Sequence, residues 1–203
     1  MFEDNQNQDH INTLVIRGKT LEFIPKTHTY IYDGMIIPSV SEIVAKLFPS
    51  TYKDVDPFVL QQAANKGILL HKEIERYETE DVKGHSEEFK NYLKIKKNYD
   101  FKVIDNEQMI LIEHEGQPLC AGRLDMIIDS MQETGIGIAD IKRTYDLHMD
   151  RLMIQLNLYK IGYEQTYQKE IHYLRCIHLR YQHFSYVNVP IDTDILKQLI
   201  AIL

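Results

Sequence analysis

Asp140 and Lys142 stand two residues apart in Ile136-Gly137-Ile138-Ala139-Asp140-Ile141-Lys142, a run that is otherwise apolar. Its β-branched residues read as a strand. Alternate strand residues share a face, so Asp140 and Lys142 point the way Ile136 and Ile138 point. Charges on such a face are costly unless they have partners. Taken alone, Asp-x-Lys is most often a surface ion pair where a strand emerges into solvent. A second carboxylate changes that reading. Asp125 lies in the β-rich run Ala121-Gly122-Arg123-Leu124-Asp125-Met126-Ile127-Ile128, and a hairpin between the two runs would bring it to Asp140. Two carboxylates beside a lysine suit a hard divalent cation, Mg²⁺ or Mn²⁺, which takes oxygen ligands. Such an ion polarises a phosphate and activates water. The lysine would orient or deprotonate that water and steady the developing charge.

Three further groups could join this chemistry. His71 follows Gly67-Ile68-Leu69-Leu70. A lone histidine in an apolar run is most often packed, yet neutral imidazole also ligates divalent ions. Gln155 and Tyr159 are four apart on a helix and share a face, where an amide and a phenol could meet a phosphate or a nucleotide. Lys90, Lys94, Lys96, Lys97 and Lys102 lie among Phe89, Tyr92, Tyr99 and Phe101. Such a stretch is usually a solvated amphipathic helix. The other reading is a DNA groove, with Lys94 and Lys97 as the contacts. Gly122 leaves room for close approach of a backbone.

Positioning these residues requires a sheet with helices against it. Residues 14–24 and 28–37 read as short strands, punctuated by Pro25-Lys26-Thr27 and Asp33-Gly34. Ser39 with Glu42 is a capping-box pattern for a helix that Pro49 stops. A longer helix is expected over 57–78, capped by Asp56, with Pro57 in its first turn. Phe58, Leu60, Ala63, Ala64, Ile68, Leu70 and Ile74 should supply its buried faces. A third helix runs from Ser86 to Tyr99. Strands follow over 109–113, 119–129 and 136–142, then a helix over 150–168, strands over 171–180 and 184–189, and a last helix over 195–203 capped by Asp192. The expected fold is a mixed α/β sheet flanked by helices.

Composition bounds the rest. The chain has 203 residues, with 44% hydrophobic and 26% charged, as for an ordinary folded protein. That length suits a single domain over 14–203: an elaboration over 14–50, a core over 51–203, and a disordered tail over 1–13. The opening MFEDNQNQDH lacks a basic region followed by an apolar stretch, so no signal peptide is expected. No apolar run approaches the ~20 residues that cross a bilayer. Two cysteines, Cys120 and Cys176, make no disulfide framework and cannot ligate an iron–sulfur cluster by themselves, so a reducing cytoplasm is the expected setting. The net charge of −7 argues against binding nucleic acid by broad positive charge. It leaves room for a grip bridged by a cation.

The ordered set His71, Gly122-x-x-Asp125, Asp140-x-Lys142 and Gln155-x-x-x-Tyr159 resembles the motifs of the RecB-like and Cas4-like branch of the PD-(D/E)XK nuclease superfamily. Tyr30-Ile31-Tyr32-Asp33-Gly34 with Pro38-Ser39-Val40-Ser41-Glu42-Ile43 is similar to the opening of phage and prophage exonucleases of that superfamily. The resemblance implies a restriction-endonuclease-like core and a metal-dependent DNA exonuclease. Its metal would be held by His71, Asp125, Asp140 and the carbonyl of Ile141. Lys142 would be the catalytic lysine, and Gln155 and Tyr159 would contact DNA. An upstream acidic residue often contributes, and here Glu107 is preferred over Glu113. A single-strand annealing protein or a helicase would be the partner where single strands are needed. The alternatives are a Cas4-like single-strand nuclease and a catalytically silent DNA-binding module on the same fold.

Overall fold

The structure is a computed structural model that describes residues 11–49 and 53–201. Strands β1 (Asn12–Ile16), β2 (Lys19–Ile24), β3 (Thr29–Tyr32) and β4 (Met35–Ile37) form an antiparallel sheet in sequential order. Two-residue turns join β1 to β2 and β3 to β4. Arg17 and Gly18 have φ of 51° and 81°, and Asp33 and Gly34 have 50° and 81°. Positive φ at both central residues matches the right-handed twist of the strands. The stretch 14–24, expected as one strand, is therefore a hairpin. Arg17-Gly18 lacks the Asn or Asp that usually announces such a turn. Asn12 and Thr13, expected in the tail, belong to β1. The rest of that tail, 1–10, lies outside the described residues.

Helix α1 (Val40–Leu47) starts on a reciprocal cap. The Glu42 N–H donates to Ser39 Oγ at 3.1 Å, and the Ser39 N–H to Glu42 Oε2 at 2.6 Å. Helix α2 (Pro57–Glu80) is capped by Asp56, which accepts from the Phe58 N–H at 2.7 Å. Its expected burial fails over the first half. Leu70 and Ile74 are buried, but Phe58 is 69% exposed and Ile68 53%. Ala63 and Ala64 are exposed as well, and Leu60 is half-buried. Only the second half of the helix, through Leu70 and Ile74, joins an apolar cluster with the sheet.

Helix α3 (Glu87–Asn98), capped by Ser86, completes that layer. Next come β5 (Phe101–His114), β6 (Gln117–Ser130), β7 (Ile136–Lys142), α4 (Met149–Tyr167), β8 (Tyr173–Leu179), β9 (Phe184–Val189) and α5 (Ile195–Ile200). The five strands lie in sequential order. All pairs are antiparallel except β7 and β8, and α4 makes the crossover that a parallel pair needs. Strand β5 starts eight residues earlier than expected. Its polar stretch Asp105-Asn106-Glu107 hides the strand pattern, and a register shift interrupts the ladder between Val103 and Asp105. The cap of α5 is Asp194, and Asp192 accepts from the Asp194 N–H at 2.9 Å instead.

Three apolar clusters place these layers. Leu70, Ile74, Phe89, Tyr92 and Ile95 of α2 and α3 pack with Met126, Ile128, Ala139, Ile141 and Ile177. Leu152, Leu156, Tyr159 and Tyr163 of α4, with Val40, Ile43 and Val44 of α1, pack with Ile110, Leu124, Ile138 and Cys176. Leu21, Phe23, Tyr30 and Tyr32 join the N-terminal sheet to Met109, Leu111 and Ala121. The chain is thus a mixed α/β fold with a central sheet between helices. Among the described residues, no helix is long and apolar enough to cross a membrane.

Candidate active site

The β6–β7 ladder runs from Asp129 with Ile136 to Met126 with Ala139 and then stops. Asp125 and Asp140, one step further along each strand, stand opposite each other where the strands part. Asp125 Oδ2 accepts the Ile141 N–H at 2.7 Å and so fixes the parting. Glu107 sits on β5 between Asn106 and Gln108, whose partners are Met126 and Leu124. That places it opposite Asp125 from the other side. Its φ of 51° lies in the left-handed region, which non-glycine residues seldom occupy. His71 descends from α2, with Nδ1 3.4 Å from Asp125 Oδ1 and Nε2 3.1 Å from the Ile141 carbonyl. A carbonyl only accepts, so Nε2 carries a hydrogen here. Ligand atoms of His71, Glu107 and Asp125 all lie within 4.8 Å of one another.

Asp140 and Lys142 adjoin this group. Lys142 Nζ is 2.6 Å from Asp140 Oδ2, and Asp140 is 2% exposed. The contact is an ion pair by distance, yet Oδ2 has no well-aligned hydrogen bond. Burial pushes the Asp140 carboxyl up to about 6; Lys142 pulls it down and Asp125 adds to the rise. Burial and the neighbouring Asp125 push Glu107 up to about 7, although Arg123 Nε lies 2.5 Å from its carboxylate. Burial opposes charge on His71, but Asp125 outweighs it and raises the imidazole to about 9. Burial also opposes the charge of Asp125, and His71 reverses that, holding the carboxyl below its ordinary range. Lys142 is raised despite burial, because Asp140 and Asp125 hold its proton.

The structure thus brings together His71, Glu107, Asp125, Asp140, Lys142 and the Ile141 carbonyl. The carbonyl is engaged by His71. Glu113 lies elsewhere: its carboxylate pairs with Arg17, and its backbone exchanges hydrogen bonds with the Gln165 side chain. Gln155 Nε2 donates to the Tyr159 hydroxyl at 3.1 Å. Tyr159 is buried rather than presented to solvent, and its hydroxyl is raised by burial and by Asp140. Gly122 has a different role from the one expected. A Cβ there would come within 2.8 Å of the Tyr159 ring, so the glycine makes room for that ring. Lys94 donates to Asn91 Oδ1 and lies over the Phe184 ring, and Lys97 is exposed in the last turn of α3. Neither lysine contacts the carboxylate cluster.

A cleft of about 270 Å³ opens beside the cluster, lined by Ser41, Lys142, Thr144, His148, Arg151 and Gln155. Arg123, Thr144 and Arg151 escaped the sequence reading. Arg123 was within its reach, since it lies two residues before Asp125 and shares its strand parity.

No family model and no curated protein matches the chain. Among solved structures, that of SSO0001 aligns at a TM-score of 0.43 and 18% identity, covering 81% of this chain and 74% of that one.

Proposed function

We propose that the chain is a divalent-metal-dependent DNA nuclease of the PD-(D/E)XK superfamily, working as an exonuclease in a cytoplasmic setting. One observation carries the reading: His71, Glu107 and Asp125 converge where β6 and β7 part, next to the Asp140–Lys142 pair. The residues fit a hard divalent cation. Two carboxylates and an imidazole offer ligand atoms within 4.8 Å of one another, and the buried Asp140, paired with Lys142, adjoins them. His71, Glu107, Asp125 and Asp140, with the Ile141 carbonyl, would hold Mg²⁺ or Mn²⁺. When bound, the ion supplies Lewis-acid polarisation of the phosphodiester and activation of water. Lys142, kept protonated by its carboxylate neighbours, steadies negative charge on the phosphate instead of acting as a base. Glu107, near 7, can hold or release a proton at neutral pH. Gln155, on the wall of the cleft, orients the nucleotide. The mixed sheet, with carboxylates where central strands part, supports a restriction-endonuclease-like core.

End-labelled linear duplex and covalently closed circles of the same sequence, incubated with Mn²⁺, test this reading. Linear DNA is degraded progressively and closed circles resist. Asp125→Asn and Lys142→Ala lose cleavage, and the Lys142 variant keeps its fold and its Mn²⁺ binding. Discrete fragments from closed circles would refute the exonuclease mode. Cleavage confined to single strands would favour the Cas4-like alternative. DNA binding without any cleavage would favour the silent module.

A further inference from the structure

A second, larger cleft of about 420 Å³ lies across β7 from the first, lined by Ala63, Arg143, Tyr145, Arg180, Tyr181 and His183, among others. Its volume falls in the range of about 300–1,000 Å³ typical of ligand sites. The chain beyond β7 divides the two clefts by alternation. Lys142, Thr144 and Asp146 line the cleft beside the metal-ligand cluster, whereas Arg143 and Tyr145 line the second one. The two clefts therefore open on opposite sides of this segment.

The walls of that cleft are held in place. His178 Nε2 donates to the Thr144 carbonyl at 2.8 Å, and Arg180 Nη1 to the Tyr145 carbonyl at 3.1 Å. Asn91 Nδ2 reaches the carbonyls of Arg180 and Tyr181 at 3.3 and 3.4 Å, which ties the β8–β9 turn to α3. The Arg180 guanidinium lies 4.0 Å from the centre of the Tyr145 ring. Arg143 makes a two-pronged contact with Glu88, at 3.0 and 2.8 Å. Yet Tyr145 and Tyr181 are 74% and 64% exposed. Two solvent-facing aromatic rings beside Arg180, on a braced backbone, match what unpaired bases and their phosphates need: a stacking face and a fixed positive charge. Paired bases offer no free face to such rings.

We propose that this cleft is a single-stranded DNA subsite, in which Tyr145 and Tyr181 stack on unpaired bases and Arg180 faces the backbone. The inference rests on the nuclease reading for its link to catalysis. It is tested without catalysis. Fluorescence anisotropy of labelled oligo-dT is measured in EDTA against wild type, Tyr145→Ala/Tyr181→Ala, Tyr145→Phe/Tyr181→Phe and Asp125→Asn. Loss of two stacking contacts weakens oligo-dT binding by at least about tenfold. The phenylalanine pair keeps wild-type affinity, because the rings remain. A blunt duplex hairpin binds wild type and the alanine pair alike. Unchanged oligo-dT binding in the alanine pair would overturn the subsite, and so would an equal loss on the hairpin. Asp125→Asn separates the two ideas. If it still cleaves DNA, the nuclease reading fails while the anisotropy result stands. If it is inert and the alanine pair binds normally, only the subsite fails.

Discussion

Two glutamates on β5 make an instructive pair. Glu107 and Glu113 lie six residues apart, and each faces an arginine, Arg123 or Arg17. Only Glu107 belongs to a cluster of ligand-type atoms. Glu113 lies near the turn of the β5–β6 hairpin, with Gln165 bonded to its backbone. Glu107 sits where β6 must also accommodate Asp125, and the crowding of two carboxylates, together with burial, lifts its proton affinity to about 7. An arginine partner alone therefore does not place a carboxylate in the cluster. What distinguishes Glu107 is a second carboxylate that the arginine does not neutralise, combined with a left-handed backbone held in a strand.

The sharpest way to break this comparison is to neutralise each glutamate. Glu107→Gln is expected to slow Mn²⁺-dependent cleavage on the order of 10²- to 10³-fold, the rate equivalent of the several kcal/mol that a well-held Lewis acid contributes. Glu113→Gln is expected to stay within about twofold, as a charge outside the cluster makes no contact with reacting groups. Single-turnover rates on linear DNA measure both. Equal rates for the two variants would erase the distinction.

Acidity gives a second test. Glu107 near 7 and His71 near 9 both bind protons where a metal would sit. Metal must displace them, so Mn²⁺ affinity rises with pH from about 6 to 9, with proton release visible by calorimetry in buffers of different ionisation heat. The metal-free protein behaves oppositely. Both groups hold protons in the fold that the unfolded chain releases at lower pH, since the raised values exceed the model-compound values of 4.5 and 6.5. Stability from Glu107 therefore falls as pH rises from about 4.5 to 7, and that from His71 as it rises from 6.5 to about 9. Thermal unfolding in EDTA should show a lower midpoint at pH 9 than at pH 6, and Mn²⁺ should restore most at the higher pH. A metal-free midpoint that climbs across that interval would contradict the assignment.

How much of this was legible in the sequence depends on local chemistry. Strand β7 kept its expected bounds, because Gly135 supplies a positive φ just before a run that is apolar up to Asp140. Ser39–Glu42 announced α1 through its own side chains. The pairing of Asp125 with Asp140 followed from a short hairpin and the period of two. Glu107 was harder to place. Glu107 and Glu113 lie six apart, an even spacing, so a period of two puts both on one face and parity could not separate them. The exposure of Phe58 and Ile68 was not readable either. An apolar periodicity shows which helix face would bury, not whether another element packs against it.

The midpoint of β5 supplies a smaller effect. Ile110 pairs with Gly122, against which the Tyr159 ring rests. Gly122→Ala brings a methyl to 2.8 Å from Tyr159 and 3.2 Å from Val40. Overpacking of this kind costs about 1–3 kcal/mol. Urea unfolding should register it. Tyr159 also carries the hydrogen bond from Gln155 and lies near Asp140, so the loss should extend to activity. A variant as stable and active as wild type would show that the ring has room to yield.

The smallest effect separates the two arginines. Arg17 is mostly exposed, and exposed ion pairs contribute about 0–1 kcal/mol. Arg17→Ala should therefore change stability by about 1 kcal/mol and leave metal affinity alone, because Glu113 lies outside the cluster of ligand atoms. Arg123 is less exposed and does two things at once. It lies over the Phe23 ring at 4.8 Å, joining the N-terminal sheet to β6, and it lowers the proton affinity of Glu107. In Arg123→Ala, the Glu107 carboxyl rises further, and binding Mn²⁺ must displace a more tightly held proton. Its Mn²⁺ affinity should fall at pH 7 and recover at pH 9, where Glu107 is ionised in either case. A loss that persists unchanged at pH 9 would mean that Arg123 acts by shaping the backbone at Glu107 and not by its charge.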